Sequence, residues 1–251
     1  MNILSAFYTE ILWRPLFNGL VWFYVALPIH DLGLAIVALT ILIRVLMTPL
    51  LLKAQRAQRN MAVLQPEIKK VQEQHKSDRE AQGRALMELY AKHKVNPFSG
   101  CVIMLIQFPI LIALFQVFHS GFEPDGLKLV YSFISNPGTI NPITFGGLNL
   151  AEGSMMLGVL AAVTQFLQTK LSAPAVPATD STGFAKAMQV QTLYIFPILI
   201  LIWSRTFPSA LMLYWTVTNV FGILQELIGR RIAKRKALLR QGYEGQAESG
   251  K

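Results

Sequence analysis

Five long apolar runs constrain this chain more than any other feature. They are roughly Leu32–Leu52, Val102–Phe118, Met155–Leu171, Val190–Trp203 and Ala210–Ile228. A helix needs about 20 apolar residues to cross the ~30 Å hydrocarbon core, and ~17 is the lower limit. Several of these runs are near or below that limit, which fits helices that continue into polar flanks in a locally thinned bilayer. One or two such runs would suit buried helices of a soluble protein. Five in a single chain point to an all-α polytopic membrane protein, and a composition of 53% hydrophobic against 15% charged residues agrees.

Positive charge orients the spans. Lys and Arg number ten in 53–98, two in 170–188 and seven in 230–251. The alternating segments 1–31, 119–152 and 204–209 hold one each: Arg14, Lys128 and Arg205. Such an imbalance follows the positive-inside rule, so the N-terminus is expected outside and the C-terminus in the cytoplasm. Drawn with their flanks, the expected spans are 32–52, 99–119, 153–171, 189–204 and 210–229.

Residues 1–31 lack a basic start and carry Arg14-Pro15 midway, which argues against a cleaved secretory signal. Trp13, Leu16, Phe17, Leu20, Trp22, Phe23 and Tyr24 suit an interfacial helix with its aromatics at headgroup level. A sixth span there would spoil the charge asymmetry. Residues 53–98 read as a cytoplasmic helical hairpin, about 66–75 and 78–94. Ser77-Asp78-Arg79-Glu80 fits a capping box with the serine as cap, Pro66 suits a first helical turn, and Asn96-Pro97 is a stop. Met61, Leu64, Ile68 and Val71 have helical spacing, as do Leu86, Leu89 and Tyr90. The hairpin offers Lys69, Lys70, Arg79, Arg84, Lys92 and Lys94 for docking; the bland reading is a solvated connector.

Residues 120–152 read as an external loop with a short amphipathic piece around Leu127–Ile134, and 172–188 as a flexible cytoplasmic loop. Residues 205–209 form a tight external turn. The tail 230–251 carries Arg230, Arg231, Lys234, Arg235 and Lys236. It reads either as a flank meeting anionic headgroups or as an additional, salt-sensitive contact for ribosomal RNA.

Enzymatic chemistry finds no constellation. His30, His75, His93 and His119 are scattered, no metal motif or nucleophile elbow occurs, and no phosphate or dinucleotide loop is present. The lone Cys101 excludes an internal disulfide and reads as packing. No cofactor is expected. What stands out is Arg44, in LTILIRVLMTPL. At ~1.5 Å per residue it lies ~15 Å from either end of its span, near the midplane. Holding a guanidinium there costs at least ~2.5–3.5 kcal/mol, and it cannot deprotonate to escape. Thr40 precedes it by one turn. Gln107, Gln116, Gln165, Gln168, Thr216, Thr218, Asn219 and Gln225 supply polar groups on other spans, but no acid lies at matching depth. That pattern implies a water-containing cavity with an available cation; a structural arginine bonded to backbone carbonyls is the alternative.

TILIRVLMTPL, the hairpin strings LQPEIKKVQ and LYAKHKVNPFSGC, then LIQFPILIALF and FPSALMLYWTVTNVFGILQ closely resemble the YidC-type membrane protein insertases of bacteria, which have relatives in mitochondria and chloroplasts. The resemblance runs from residue 14 to about 235, with all five spans in order. It implies five transmembrane helices around a hydrophilic groove open to the cytoplasm and to lipid, with a cytoplasmic helical hairpin and an N-terminal interfacial helix. The family's groove positions fall on Arg44, Thr40 and Gln107, and in the last span on Tyr214, Trp215 and Thr218, beside which Asn219 also qualifies. The span-three glutamine falls on Gln165 or Gln168. By this resemblance the chain inserts newly made integral membrane proteins and helps them fold. Its partners are then nascent membrane proteins and the lipid bilayer, with ribosome, signal-recognition particle pathway and Sec translocon nearby. It is expected to work in the bacterial plasma membrane, making and breaking no covalent bond. Neither a lipoprotein cysteine near the start nor a preceding span with a large external domain is seen, nor is the long C-terminal extension of mitochondrial relatives. Those departures bear on autonomous ribosome anchoring rather than on insertion. The rival class is an anion or solute transporter binding at Arg44, which would favour internal repeats that the chain lacks. A purely structural assembly factor would tolerate loss of the arginine.

Overall fold

The computed structural model describes residues 3–95, 99–120, 126–172 and 190–249. It begins with α1 (Ile3–Tyr8), a wide π turn (Thr9–Trp13) and α2 (Arg14–Ala26). Pro15 accounts for the π turn. Its ring would press on the carbonyl four residues back, and widening the turn until the Arg14 N–H reaches Thr9 O relieves that clash. Along α2 the residues Phe17, Leu20, Val21 and Tyr24 recur at helical spacing and are buried. Two of them, the aromatics Phe17 and Tyr24, were expected at headgroup level. They sit instead in the protein core, because α2 packs against α3 (Leu32–Val63) and α6 (Ser99–Ser120). Trp22 does point outward.

The first apolar run becomes α3 and does not stop at Lys53; the helix continues into the segment expected to start the hairpin. The hairpin proper is α4 (Gln65–Gln74) and α5 (Arg79–Lys92). Pro66 occupies the first turn of α4 as expected. The cap of α5 is Asp78 rather than Ser77: its Oδ1 accepts the Glu80 and Ala81 N–H groups, each at 3.0 Å. Both residues are good caps, and an ionised carboxylate at a helix N-terminus gains from the dipole as well. Leu64 and Ile68 are buried, Gln82 Nε2 donates to Gln72 O at 3.0 Å, and His93 meets Glu67 at 3.1 Å, joining the two arms. Lys94, in a left-handed conformation, closes α5. The expected Asn96-Pro97 stop lies outside the described residues.

After α6 comes a loop with a 3-10 turn (Gly126–Leu129) and a short antiparallel pair, β1 (Ile143–Thr144) and β2 (Leu148–Asn149), with Ile143 opposite Asn149. α7 (Met155–Ser172) follows, and the expected loop 172–188 lies outside the described residues beyond Ser172. A second π turn (Gln191–Ile195) leads into α8 (Phe196–Trp203). Pro197 stands two residues past this π turn, the spacing that Pro15 has from the first. A tight turn then opens α9 (Ser209–Ser249). By length and composition Leu32–Ala57 and Ser209–Ile232 can each cross a membrane, and Gln107–His119 and Gln191–Trp203 are shorter apolar helices.

The core gathers at the end of the helices that carries the 126–153 loop. Among the described residues of α3, Leu32, Gly33, Ala35, Ile36, Leu39 and Thr40 are buried, and beyond them only Leu51 is. The loop itself binds the helix ends together. Buried Asn18 on α2 donates to Leu129 O and accepts the Tyr131 N–H at 2.6 Å. Asp31, just before α3, accepts the Leu34 N–H at 2.9 Å and the Thr144 hydroxyl. Ser209 on α9 donates its hydroxyl to Asn149 O at 2.9 Å and its N–H to Glu152 O at 2.8 Å. Close α7–α8 packing depends on Gly158: a Cβ there would overlap the Ser204 side chain. The bundle is therefore tied at its loop end, and α3 loses burial toward its hairpin end.

Candidate functional site

Arg44 lies where the core of α3 ends. It is half-buried, and among the described residues no carboxylate pairs with its guanidinium and no hydrogen bond reaches that group. Its electrostatic neighbour is Tyr214 on α9. The Tyr214 oxygen accepts from Gln107 Nε2 on α6 at 2.6 Å. Thr218 follows Tyr214 by four residues and so shares its face. Its buried hydroxyl stands beside Tyr214 without a hydrogen bond of regular geometry. Three helices, α3, α6 and α9, thus bring one polar cluster together. Thr40 is less available: it is buried, and its hydroxyl is bonded back to Ile36 O at 2.6 Å. Below Arg44, Pro49 cannot donate to Val45 O, and Thr48 bonds to Arg44 O at 2.8 Å. The Val45 carbonyl, one residue past the cation, thereby lacks its i+4 helical donor.

The remaining residues singled out for a groove line a different seam. Trp215 Nε1 donates to Gln165 Oε1 at 3.0 Å, and Gln165 Nε2 donates to Thr169 at 3.0 Å. Asn219 Nδ2 reaches Thr164 Oγ1 at 3.3 Å and Ala161 O at 3.4 Å. Gln168 packs on Gly222, where a Cβ would meet its side chain at 3.3 Å. The cause is helical geometry: a step of ~100° per residue turns Trp215 and Asn219 toward α7 while Tyr214 and Thr218 turn toward α3 and α6. The buried polar groups Gln165, Trp215 and Asn219 on the seam each have a partner, as burial requires. Gln116 pairs elsewhere, accepting from the Tyr8 hydroxyl at 3.0 Å.

Sequence reading missed Glu226. It is buried, and Arg230 donates Nε to it at 2.8 Å while also donating Nη2 to Leu171 O. Arg230 thus caps the last carbonyls of α7 from α9, and its i,i+4 spacing from Glu226 was the available signal. On the hairpin, Pro66, Lys70, Arg79, Lys92 and Lys94 are exposed, Lys69 is half-buried and engaged, and Arg84 pairs with Glu80 at 3.2 Å. In the tail Arg231 and Arg235 are exposed; the side chains of Lys234 and Lys236 lie outside the described residues. Among the described residues no group of three or more His, Cys, Asp or Glu side chains could hold a metal ion.

A mostly helical chain, with two helices long and apolar enough to cross a bilayer, defines a helical membrane protein. Its sequence matches the family of the 60Kd inner membrane protein over residues 22–236, and the chain belongs to that family. It is 36% identical over 211 residues to a membrane protein insertase YidC of Francisella philomiragia, and 37% identical over 211 residues to that of Francisella tularensis subsp. novicida. Each alignment covers 82% of this chain and 34% of the relative. The chain therefore spans about a third of the length of these curated relatives.

Proposed function

We propose that this chain is a membrane protein insertase and chaperone, and that the Arg44 cluster is the floor of its substrate groove. Five spans carry it: α3, α6, α7, the second π turn with α8, and the first half of α9. Its N-terminus and the 126–153 loop lie outside; the hairpin and tail lie in the cytoplasm. The observation that carries this reading is a half-buried arginine within electrostatic reach of Tyr214, which Gln107 and Thr218 adjoin, with no acid paired to it among the described residues. Such a cation lowers the desolvation penalty of a polar or acidic segment brought part-way across the bilayer. Gln165, Trp215 and Asn219 brace α9 against α7 and hold the groove wall. With the loop end tied shut, the substrate enters from the hairpin side, and its hydrophobic segment leaves past the exposed faces of α6 and α8 into lipid. The hairpin receives nascent chains, near the ribosome, the signal-recognition particle pathway and the Sec translocon, and the basic tail adds electrostatic contact with anionic lipid and ribosomal RNA. No cofactor or covalent step is involved.

Site-specific photocrosslinking tests this reading. Probes at Gln107 and Thr218 are expected to capture ribosome-stalled membrane proteins, and a probe at Ile112, exposed on α6, is expected to capture lipid. Absence of nascent-chain adducts at both groove positions would remove the insertase reading.

A further inference from the structure

Between Lys128 and Glu152 the chain carries no charged residue and no histidine. A water-exposed loop of this length would ordinarily hold several, and would keep its large apolar side chains inward. Here Phe133 is 80% exposed and Phe145 55%, with Ile143 and Leu129 also exposed. In the β1–β2 pair the alternation is clear: Thr144 is buried, and Ile143 and Phe145 on either side of it face out.

Position then says what they face. Phe145 is held at the first turn of α3. Its N–H points to Asp31 Oδ2 at 3.4 Å, and a Cβ on Gly33 would stand 2.8 Å from its Cε2. It therefore lies at the level where a membrane-crossing helix begins, the depth that aromatic side chains prefer. Along α3, starting at the residue after Gly33, Leu34, Ile41 and Val45 are exposed and one heptad or four residues apart, a stripe that begins at the same helix turn. Backbone conformation adds a further sign. Phe145 adopts φ 47°, a left-handed conformation that costs a side-chain-bearing residue about 1–2 kcal/mol, although glycines occupy the next two positions. An aromatic ring is kept where glycine would be the cheaper choice.

We propose that the 129–151 loop is seated in the headgroup region of the bilayer, with Leu129, Phe133, Ile143 and Phe145 reaching the acyl boundary of the leaflet on that side. Lipid, rather than a protein partner, is the occupant because the exposed surface is uncharged and runs on into the lipid-facing stripe of α3. The irregular backbone stays hydrated at headgroup depth, which is as deep as an unpaired loop can go. The anchor holds the loop end of the bundle against the membrane, so that α3 and α9 move relative to it at their opposite ends. It rests on the membrane-spanning reading of α3 and not on the insertase reading.

The test uses the full chain in a Cys101→Ser background, reconstituted in vesicles of phosphatidylethanolamine and phosphatidylglycerol. Spin labels are placed on Phe133→Cys, Phe145→Cys and, as a water-side reference, Glu152→Cys. The ratio of collisions with oxygen to collisions with a water-soluble nickel chelate is expected to be several-fold higher at 133 and 145 than at 152. Ile143→Cys repeats the measurement at a residue without left-handed backbone, so misfolding of the Phe145 variant does not spoil the test. Ratios equal to that at 152 would make the loop an aqueous one and overturn the proposal. Shielding from both collision partners would place protein there instead, and would overturn it equally.

Discussion

Replacing Asp31 by alanine removes the fastener between α3 and the loop. The carboxylate caps α3 through the Leu34 N–H at 2.9 Å, accepts the Thr144 hydroxyl, and receives the Phe145 N–H at 3.4 Å. Loss of a cap costs about 0.5–2 kcal/mol. Thr144 is 1% exposed, so its hydroxyl would be left without an acceptor, at about 1–3 kcal/mol. Both losses come from one partly exposed side chain and do not simply add, which sets the expectation near 2 kcal/mol. That is roughly a 30-fold rise in local opening, since each 1.4 kcal/mol is tenfold. Amide hydrogen exchange on the chain in nanodiscs is expected to accelerate by this factor at Leu34 and Phe145, and not at all in α5. Asp31→Asn, which keeps an acceptor, should lose less. Acid should mimic the substitution. Burial raises the Asp31 pKa, but the Thr144 hydroxyl and the Leu34, Phe145 and Gly33 N–H groups outweigh it, leaving the carboxyl below its ordinary value. A depressed folded-state pKa contributes stability above the unfolded value and loses it as pH falls through the folded one. After correction for intrinsic exchange, wild-type protection is expected to stay level from neutral pH to about 4 and to decline only below that. Unchanged exchange at these two amides in Asp31→Ala, or loosening of the wild type well above pH 4, would refute the fastener.

Three further outcomes are expected. Asp78→Ala should raise exchange at Glu80 and Ala81 by about fivefold, for a cap worth ~1 kcal/mol, and Ser77→Ala should leave both amides unchanged. Gly158→Ala drives a methyl into Ser204, so thermal denaturation in detergent should show a loss of about 1–3 kcal/mol that Ser204→Gly restores in the double variant. Tyr214→Phe takes away the acceptor of the Gln107 amide and should lower insertion yield more than stability. Trp215→Phe, which breaks the bond to Gln165, should instead lower stability by about 1 kcal/mol and spare insertion.

The long features were legible because they rest on local pattern. The apolar runs that became α3 and α9, the hairpin, its Pro66 start and the tight turn before Ser209 all follow from periodicity and punctuation. Arg44, Gln107, Tyr214 and Thr218 were singled out and do converge. Trp215 was grouped with them by the family resemblance and Asn219 as a polar residue of the same span, although one residue of offset turns each to another face. The depth of Phe17 and Tyr24 could not be read, because headgroups and a neighbouring helix attract the same aromatic face. Ser77 and Asp78 are both strong caps one residue apart, and only backbone conformation separates them. Both π turns were signalled by Pro15 and Pro197, yet a proline near the start of an apolar run is compatible with an ordinary first turn. The β1–β2 pair is too short to announce itself by alternation.

The charge at Arg44 is the central claim, and one comparison tests it most directly. Insertion of a small single-span substrate with an acidic external tail is measured by protease protection in vesicles carrying the wild type, Arg44→Lys or Arg44→Ala at matched levels. The lysine variant is expected to retain much of the wild-type yield and the alanine variant to lose most of it, with a smaller loss when the tail is neutral. Normal insertion of the acidic-tailed substrate by Arg44→Ala would contradict a groove that works through its cation.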